Sequence, residues 1–358
     1  MGLSQLDILY DFEPKKIGYI NRKTQITSKK VIIHYSPKSG VTYLLYSHMQ
    51  NYKSSDYLYI DFKDIRLEKD IIKQNLKDYI YRKNIKLLIL ENFDFSFDLP
   101  KCDEIIITTN YKYHYKGFKC INFFPLDFEE FIAFERSNSK IENIFNSYAN
   151  NGTFPSISHI NEVDKIRYLQ DITMLISQNK KQLYILKHLS KLQSMPVSLY
   201  GVFGKIKKEI KISKDMFYEL VEDLKQRRII LFLDKYNYPK AAKKIFLIDF
   251  TIKNAISFEK DFIKRFENIV FLEIYKRDKI VYYTDDMDFY LPKENMAILC
   301  IAFMPPALLR NKIVKRKKAF KKLNIKKVFI ISLGNEDRFC ENEIEYEIIP
   351  FWNWAASI

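Results

Sequence analysis

Four short runs of aliphatic and β-branched residues recur through the first 110 positions: KKVIIHYS (29–36), DYLYIDF (56–62), IKLLILENF (85–93) and DEIIITTN (103–110). Segments of helical composition lie between the first three, at 43–50 and 67–83. A run that is apolar along its length, rather than at every second residue, belongs to a strand buried on both faces, and parallel strands need crossover helices between them. The pattern predicts an α/β fold built on a parallel sheet. With 47% hydrophobic and 15% aromatic residues over 358 positions, the chain has material for more than one packed core, which excludes disorder as its main state. No run reaches the ~18 apolar residues of a membrane span. The opening MGLSQLDILYDFEPKK lacks the basic-then-apolar order of a secretory leader, so a cytoplasmic location is expected. Cys102, Cys120, Cys300 and Cys340 form no CxxC pair, which argues for free thiols rather than a disulfide framework or zinc site.

The first strand runs into Tyr35-Ser36-Pro37-Lys38-Ser39-Gly40-Val41-Thr42 and then a helix. A phosphate loop has the form GxxxxGK[ST] in this setting, because its amides cradle phosphate, its lysine neutralises it and its hydroxyl meets Mg²⁺. Gly40 and Thr42 fit the second glycine and the hydroxyl, but Tyr35 stands for the first glycine and Val41 for the lysine. Ser36 through Thr42 are therefore the candidate nucleotide-binding residues. Thr42 and Glu91, at the end of the third strand, are the candidate Mg²⁺ ligands. Asn92 follows Glu91 and cannot act as a general base. Glu91 and Asn110, after the third and fourth strands, are the candidate catalytic residues, and Lys38 is a candidate substitute cation.

The net charge of +15 is uneven. Residues 1–150 carry +3 and residues 151–358 carry +12. Residues 180–245 hold 16 basic and 6 acidic side chains, and 310–327 hold 10 basic and none acidic. The remainder of the second part is thus acidic on balance, which points to a localised polyanion-facing surface, nucleic acid first. Helices expected at 181–193, after Ser198 and at 212–226 precede two strands in 227–250, the plan of a winged helix. Its candidate DNA contacts are Ser213, Lys214, Phe217 and Tyr218 on the third helix. Lys235, Tyr236, Tyr238, Lys240, Lys243 and Lys244 lie in the wing. A basic helix at about 308–323 adds Lys315, Arg316, Lys318 and Lys322 as phosphate contacts.

Taken in order, YSPKSGVTYLL, YLYIDF, LLILEN, IIITTN, PLDFEEFIAFE, NNGTFP, FENIVFLEIY and MDFYLP resemble the landmarks of bacterial and archaeal ATP-binding proteins. Those proteins join an AAA-type P-loop domain to a winged helix and a restriction-endonuclease-like domain. The resemblance implies a P-loop domain over 1–150, a helical lid or linker over 151–180, a winged helix over 181–256 and a small α/β domain over 257–358. It implies ATP and Mg²⁺ as cofactors, with Gly40, Thr42 and Glu91 carried over by position. The last domain would need an early acid (Glu267 or Glu273), Asp288, and an ExK where Leu299-Cys300-Ile301 stand, so metal-dependent cleavage is not expected. The leading expectation is an ATP-binding, DNA-binding protein with little or no hydrolysis or nuclease activity. The alternatives are a slow ATPase using Lys38 and a catalytically inactive interaction protein with an acidic protein partner. Homo-oligomerisation is compatible with each.

Overall fold

The structure is a computed structural model that describes residues 4–14, 20–135, 139–305, 308–309, 313 and 316–357. The chain divides into two compact units, residues 1–125 and 126–358.

In the first unit, strands β1 (Lys30–Tyr35), β2 (Tyr57–Asp61), β3 (Leu87–Glu91), β4 (Glu104–Thr109) and β5 (Lys119–Phe123) form one sheet. Its order is β2-β3-β4-β1-β5 and every pairing is parallel. Helices α1 (Gln5–Tyr10), α2 (Val41–Met49) and α3 (Lys69–Lys83) cover it. Alternation along the strands divides the core in two. Ile32, Leu58, Ile60, Leu88, Leu90 and Ile107 pack with Leu6, Ile72 and Leu76 of α1 and α3. Val31, Ile33, Tyr57, Tyr59, Leu87 and Ile89 pack with Val41, Leu44 and Leu45 of α2. Coverage of both faces is the physical reason for the apolar runs. This is the mixed α/β architecture with a parallel sheet that the sequence pattern implies. Strand β5 lies in the tyrosine-rich stretch 111–124, which carries no continuous apolar run. It pairs with β1 at the sheet edge, and Lys119 and Cys120 are exposed. Polar residues are usual on an edge strand, and they broke the apolar pattern.

The second unit starts with α4 (Phe128–Glu135) and α5 (Ile141–Asn151). Asp127 and Glu130 form a reciprocal cap: the Glu130 amide donates to Asp127 Oδ1 at 2.8 Å, and the Asp127 amide donates to Glu130 Oε2 at 3.2 Å. Residues 126–150, which the resemblance put in the first domain, lie in this unit. Phe128 and Phe145 pack on Phe351 with ring centroids 5.2 and 5.1 Å apart. Helix α6 (Lys165–Ile176) follows. Then come α7 (Lys180–Lys191), β6 (Pro196–Val197), α8 (Leu199–Glu209), α9 (Lys214–Gln226), β7 (Ile230–Leu233) and β8 (Lys243–Leu247), the strands in the order β6-β8-β7. After α10 (Ile252–Ile256) and α11 (Phe262–Lys276), strands β9 (Phe289–Leu291), β10 (Met296–Cys300), β11 (Lys327–Ser332), β12 (Asp337–Glu341) and β13 (Ile344–Pro350) form a mixed sheet. Its order is β12-β13-β11-β10-β9. Helices α12 (Lys317–Lys322) and α13 (Phe351–Ser357) complete the unit. Residues 279–284 form no strand, and Tyr282 and Tyr283 make isolated bridges there. Of the expected basic helix, Lys315 lies outside the described residues, as do 310–312 and 314.

Candidate phosphate-binding site

The carboxyl end of a parallel sheet is where the loops leaving β1, β3 and β4 meet, and open α/β sheets place ligands at that edge. Tyr35, Tyr59, Asp61 and Glu91 share the α2 face there because their strand positions have the same parity as Val31 and Ile33. The chain leaves β1 through Ser36, whose amide donates to the Phe123 carbonyl at 3.1 Å. It tightens where the Ser39 amide donates to the Ser36 carbonyl at 3.2 Å. It then enters α2 with Gly40 as N-cap at φ 86°. A left-handed backbone suits glycine there, and a glycine cap leaves the helix without a side-chain acceptor. The first amides of α2 have no intrahelical acceptor by geometry, and they carry the positive end of the helix dipole. The hydroxyls of Ser36 and Ser39 are fully buried, and neither has a hydrogen-bond partner. Two orphaned hydroxyls beside an uncapped helix N-terminus make a cradle of donors, the chemistry that an anionic group satisfies.

The Thr42 hydroxyl donates to Glu91 Oε1 at 2.6 Å, and the Tyr59 hydroxyl donates to Oε2. Burial pushes the Glu91 carboxyl above the usual carboxylate range. The Thr42 and Tyr59 hydrogen bonds pull it back, Asp61 raises it and Lys63 lowers it. Asn92, at φ 58°, has its side chain fully engaged: Nδ2 donates to Asp61 Oδ1 at 2.7 Å, and Oδ1 accepts from the Tyr35 hydroxyl. Burial, with Glu91 second, drives the Tyr35 phenol well above its ordinary value. Asn110 Nδ2 donates to the Tyr35 carbonyl at 3.1 Å. Lys63 Nζ lies 3.3 Å from the Tyr35 hydroxyl and 3.4 Å from Asn110 Oδ1. Arg22 braces the turn from the other side, donating to the Ser39 carbonyl at 2.9 Å and the Phe124 carbonyl at 2.7 Å.

Ser36, Ser39, Gly40, Thr42, Glu91 and Asn110 are thus brought to one edge of the sheet. Lys38 is exposed at φ 62°, and Pro37 is half-buried. Val41 takes no part in the edge chemistry: its side chain is 4% exposed in the α2 core. Tyr35 figures in the sequence only as the residue in the first-glycine position, and Asp61, Lys63 and Arg22 do not figure there. Asp61 and Lys63 carry a signal, being polar residues at the end of β2, on the same edge as the turn. Among the described residues no group of three His, Cys, Asp or Glu could hold a metal. A nucleotide-borne Mg²⁺ needs less, because phosphate and water supply most of its ligands and the Thr42–Glu91 pair offers the rest.

The second unit distributes the expected DNA contacts unevenly. Ser213 is the N-cap of α9, accepting from the Met216 amide at 3.2 Å. Lys214, Tyr238 and Lys240 are exposed, and Tyr218 is half-buried. Phe217 is fully buried in the core and offers no contact surface. Lys235 pairs with Asp285 and Lys243 with Asp234, both at 2.7 Å, so neither is a free cation. Tyr236 packs edge-on against Tyr290, 4.7 Å between centroids. Lys244 is buried, 2.6 Å from Glu267 and 3.9 Å from Asp288. Lys264 holds the other Glu267 oxygen at 3.2 Å. The Cys300 amide donates to Asp288 Oδ2 at 2.8 Å. Leu299 and Ile301 belong to the opposite, hydrophobic face with Val328 and Ile330. The strand position that faces the carboxylates is therefore Cys300. Glu273 stands apart, accepting from the Phe128 amide at 3.0 Å and from Arg277 at 2.8 Å. Arg316 is half-buried, and Lys318 and Lys322 are exposed.

No family model matches the chain. It is similar to an uncharacterized protein of Methanocaldococcus jannaschii, MJ1544, at 24% identity over 407 residues, spanning 96% of this chain and 92% of that protein. Among solved structures it is similar to the Walker-type ATPase PABY2304 of Pyrococcus abyssi, with a TM-score of 0.44 and 12% identity over 63% of this chain and 90% of that one.

Proposed function

We propose that the first unit binds a nucleotide, ATP with Mg²⁺, with little or no hydrolysis, and that the second unit binds duplex DNA through its phosphates. The observation that carries the first half is the pair of buried, unpartnered hydroxyls, Ser36 and Ser39, beside the uncapped N-terminus of α2. Each orphaned hydroxyl costs about 1–3 kcal/mol unless a ligand satisfies it. Phosphate oxygens accept from those hydroxyls and from the Gly40, Val41 and Thr42 amides. Thr42 and Glu91 hold the metal, which supplies charge neutralisation to the phosphates. Slow turnover follows from Asn92, an amide with no proton affinity whose side chain is held by Asp61 and Tyr35. Thermal unfolding of the full chain with millimolar ATP–Mg²⁺ tests the reading. A midpoint that rises with nucleotide concentration is expected, and an unmoved midpoint overturns it.

The DNA half is supported by the order helix, short strand, helix, helix, hairpin over 180–247, which a winged helix requires, and by the exposed Lys214 and Lys240. Absence of any salt-sensitive shift of duplex DNA at low ionic strength would remove it. The Lys244–Glu267–Lys264 pairing argues against nuclease chemistry, because the site's own cations already neutralise its carboxylates.

A further inference from the structure

The proposed phosphate site has dipoles, but the cation on its own turn, Lys38, is exposed at φ 62° and does not occupy the helix position where a phosphate loop carries its lysine. Val41, where a lysine would stand, is in the core, and Asp61 and Glu91 add negative charge at the same edge. A polyphosphate held there needs compensation from elsewhere, because its repulsion from two carboxylates is strong where water is excluded.

Lys63 stands two residues beyond the end of β2, yet its ammonium reaches the ends of two other strands, β1 and β4. It lies 3.3 Å from the hydroxyl of Tyr35, which immediately precedes the turn, and 3.4 Å from Asn110 Oδ1, just after β4. It is also the cation that lowers the Glu91 carboxyl, whose oxygen is bonded to Thr42 of the turn. Tyr35 and Asn110 are neutral partners, and 3.3–3.4 Å is long for an ammonium donor. The side chain is exposed on a flexible four-carbon stem, so it can exchange these weak bonds for a phosphate oxygen.

We infer that Lys63 supplies the bound polyphosphate with the positive charge that Val41, in the lysine position of the turn, does not. The inference rests on the nucleotide reading above and goes beyond it by naming a lysine outside the turn as the electrostatic partner.

The test is a thermal-shift titration of the full chain with ATP–Mg²⁺, comparing wild type with Lys63→Gln, Lys63→Arg and Lys38→Ala. Gln keeps a hydrogen-bonding group for Tyr35 and Asn110 but removes the charge, so a merely structural Lys63 would tolerate it. Loss of a charge-assisted contact predicts an apparent Kd raised about tenfold or more in Lys63→Gln. Lys63→Arg and Lys38→Ala should stay within about threefold of wild type, and the Gln variant should show a shallower salt dependence of binding. Lys63 is exposed, so the nucleotide-free midpoints should match, and the Arg variant provides a folded comparison if they do not. Wild-type binding with Lys63→Gln unchanged overturns the inference. Equal losses in Lys63→Gln and Lys38→Ala also overturn it, since they indicate only the local field. No response in wild type overturns the nucleotide reading and this inference together.

Discussion

Glu91 shows how one buried carboxylate couples the site to stability. Burial raises its folded pKa above the ordinary value despite two hydroxyl donors. The folded state therefore holds a proton that the unfolded chain has released, across the window from about pH 4 up to the raised value. Stability falls as pH rises through that window and levels off above it. Glu91→Gln has no charge to bury. The variant without nucleotide should match wild type or be slightly weaker at acid pH, and should gain on it as pH rises to 7. Midpoints measured from pH 4 to 8 check this, and parallel profiles for the two proteins would refute it. The same variant should lose most of the Mg²⁺ requirement for nucleotide stabilisation. Lys63 was the hardest part of this site to read from sequence. Its distance from the turn is 21 positions or more, and only the strand order β2-β3-β4-β1 makes the two meet.

Among elements, the turn after α5 has an anchor that is remote in sequence. Asp249 accepts from the Thr153 amide at 2.5 Å, the Thr153 hydroxyl at 2.8 Å and the Phe154 amide at 3.2 Å, while its other oxygen takes the Thr251 amide at 2.8 Å. Gly152 is at φ 84°, and a Cβ there would sit 2.5 Å from both Asp249 oxygens. Gly152→Ala should therefore destabilise by about 2 kcal/mol or more, combining left-handed strain with a displaced carboxylate. In Gly152→Ala/Asp249→Ala the carboxylate is gone and only the Thr251 hydroxyl, 2.6 Å from the added Cβ, still crowds it, so urea unfolding should give a double-variant loss smaller than the sum of the singles. Additive losses would show that the backbone strain acts alone. The Gly and Pro of NNGTFP mark a turn in the sequence, but Asp249, nearly 100 positions away, leaves no such mark. Elements followed the same rule. Strands β1 to β4 were legible because burial on both faces writes an apolar run. Strand β13 alternates buried and half-buried residues, a weaker pattern that IEYEIIP carries within an acidic stretch. Tyr282 and Tyr283 were misleading: their β-favouring rings serve single bridges and packing on Tyr236 and Lys244, not a ladder.

At the scale of the molecule, the +15 overstates what a polyanion would meet. The two basic stretches hold 26 cations, and at least eight of them form ion pairs among the described residues: Lys191, Lys225, Arg227, Lys235, Lys243, Lys244, Lys317 and Lys327. Several partners are the acidic residues of the same unit, such as Asp285, Glu267, Glu341 and Glu347, which is why the remainder of that part is acidic by count. Counting charges along the chain locates a basic region but cannot tell a spent cation from an available one. Binding to duplex DNA should accordingly show a salt dependence that reflects few released counterions. If Lys214, Lys240, Lys318, Lys322 and one or two neighbours touch phosphates, the slope of log K against log salt should be about −4 to −6, not the −20 or steeper of the full count. Lys214→Ala and Lys240→Ala should each reduce the slope by about 1 and weaken all duplex sequences alike. Lys235→Ala should change the slope by much less, because it removes a cation already neutralised by Asp285 and exposes that carboxylate instead. Its cost should appear as a uniform drop in affinity from the freed negative charge. Titrations of an arbitrary duplex across a range of salt concentrations separate these outcomes. A Lys235→Ala slope change equal to that of Lys214→Ala would mean that DNA breaks the Lys235–Asp285 pair, and that the charge available to a polyanion is closer to the sequence count than to the structural one.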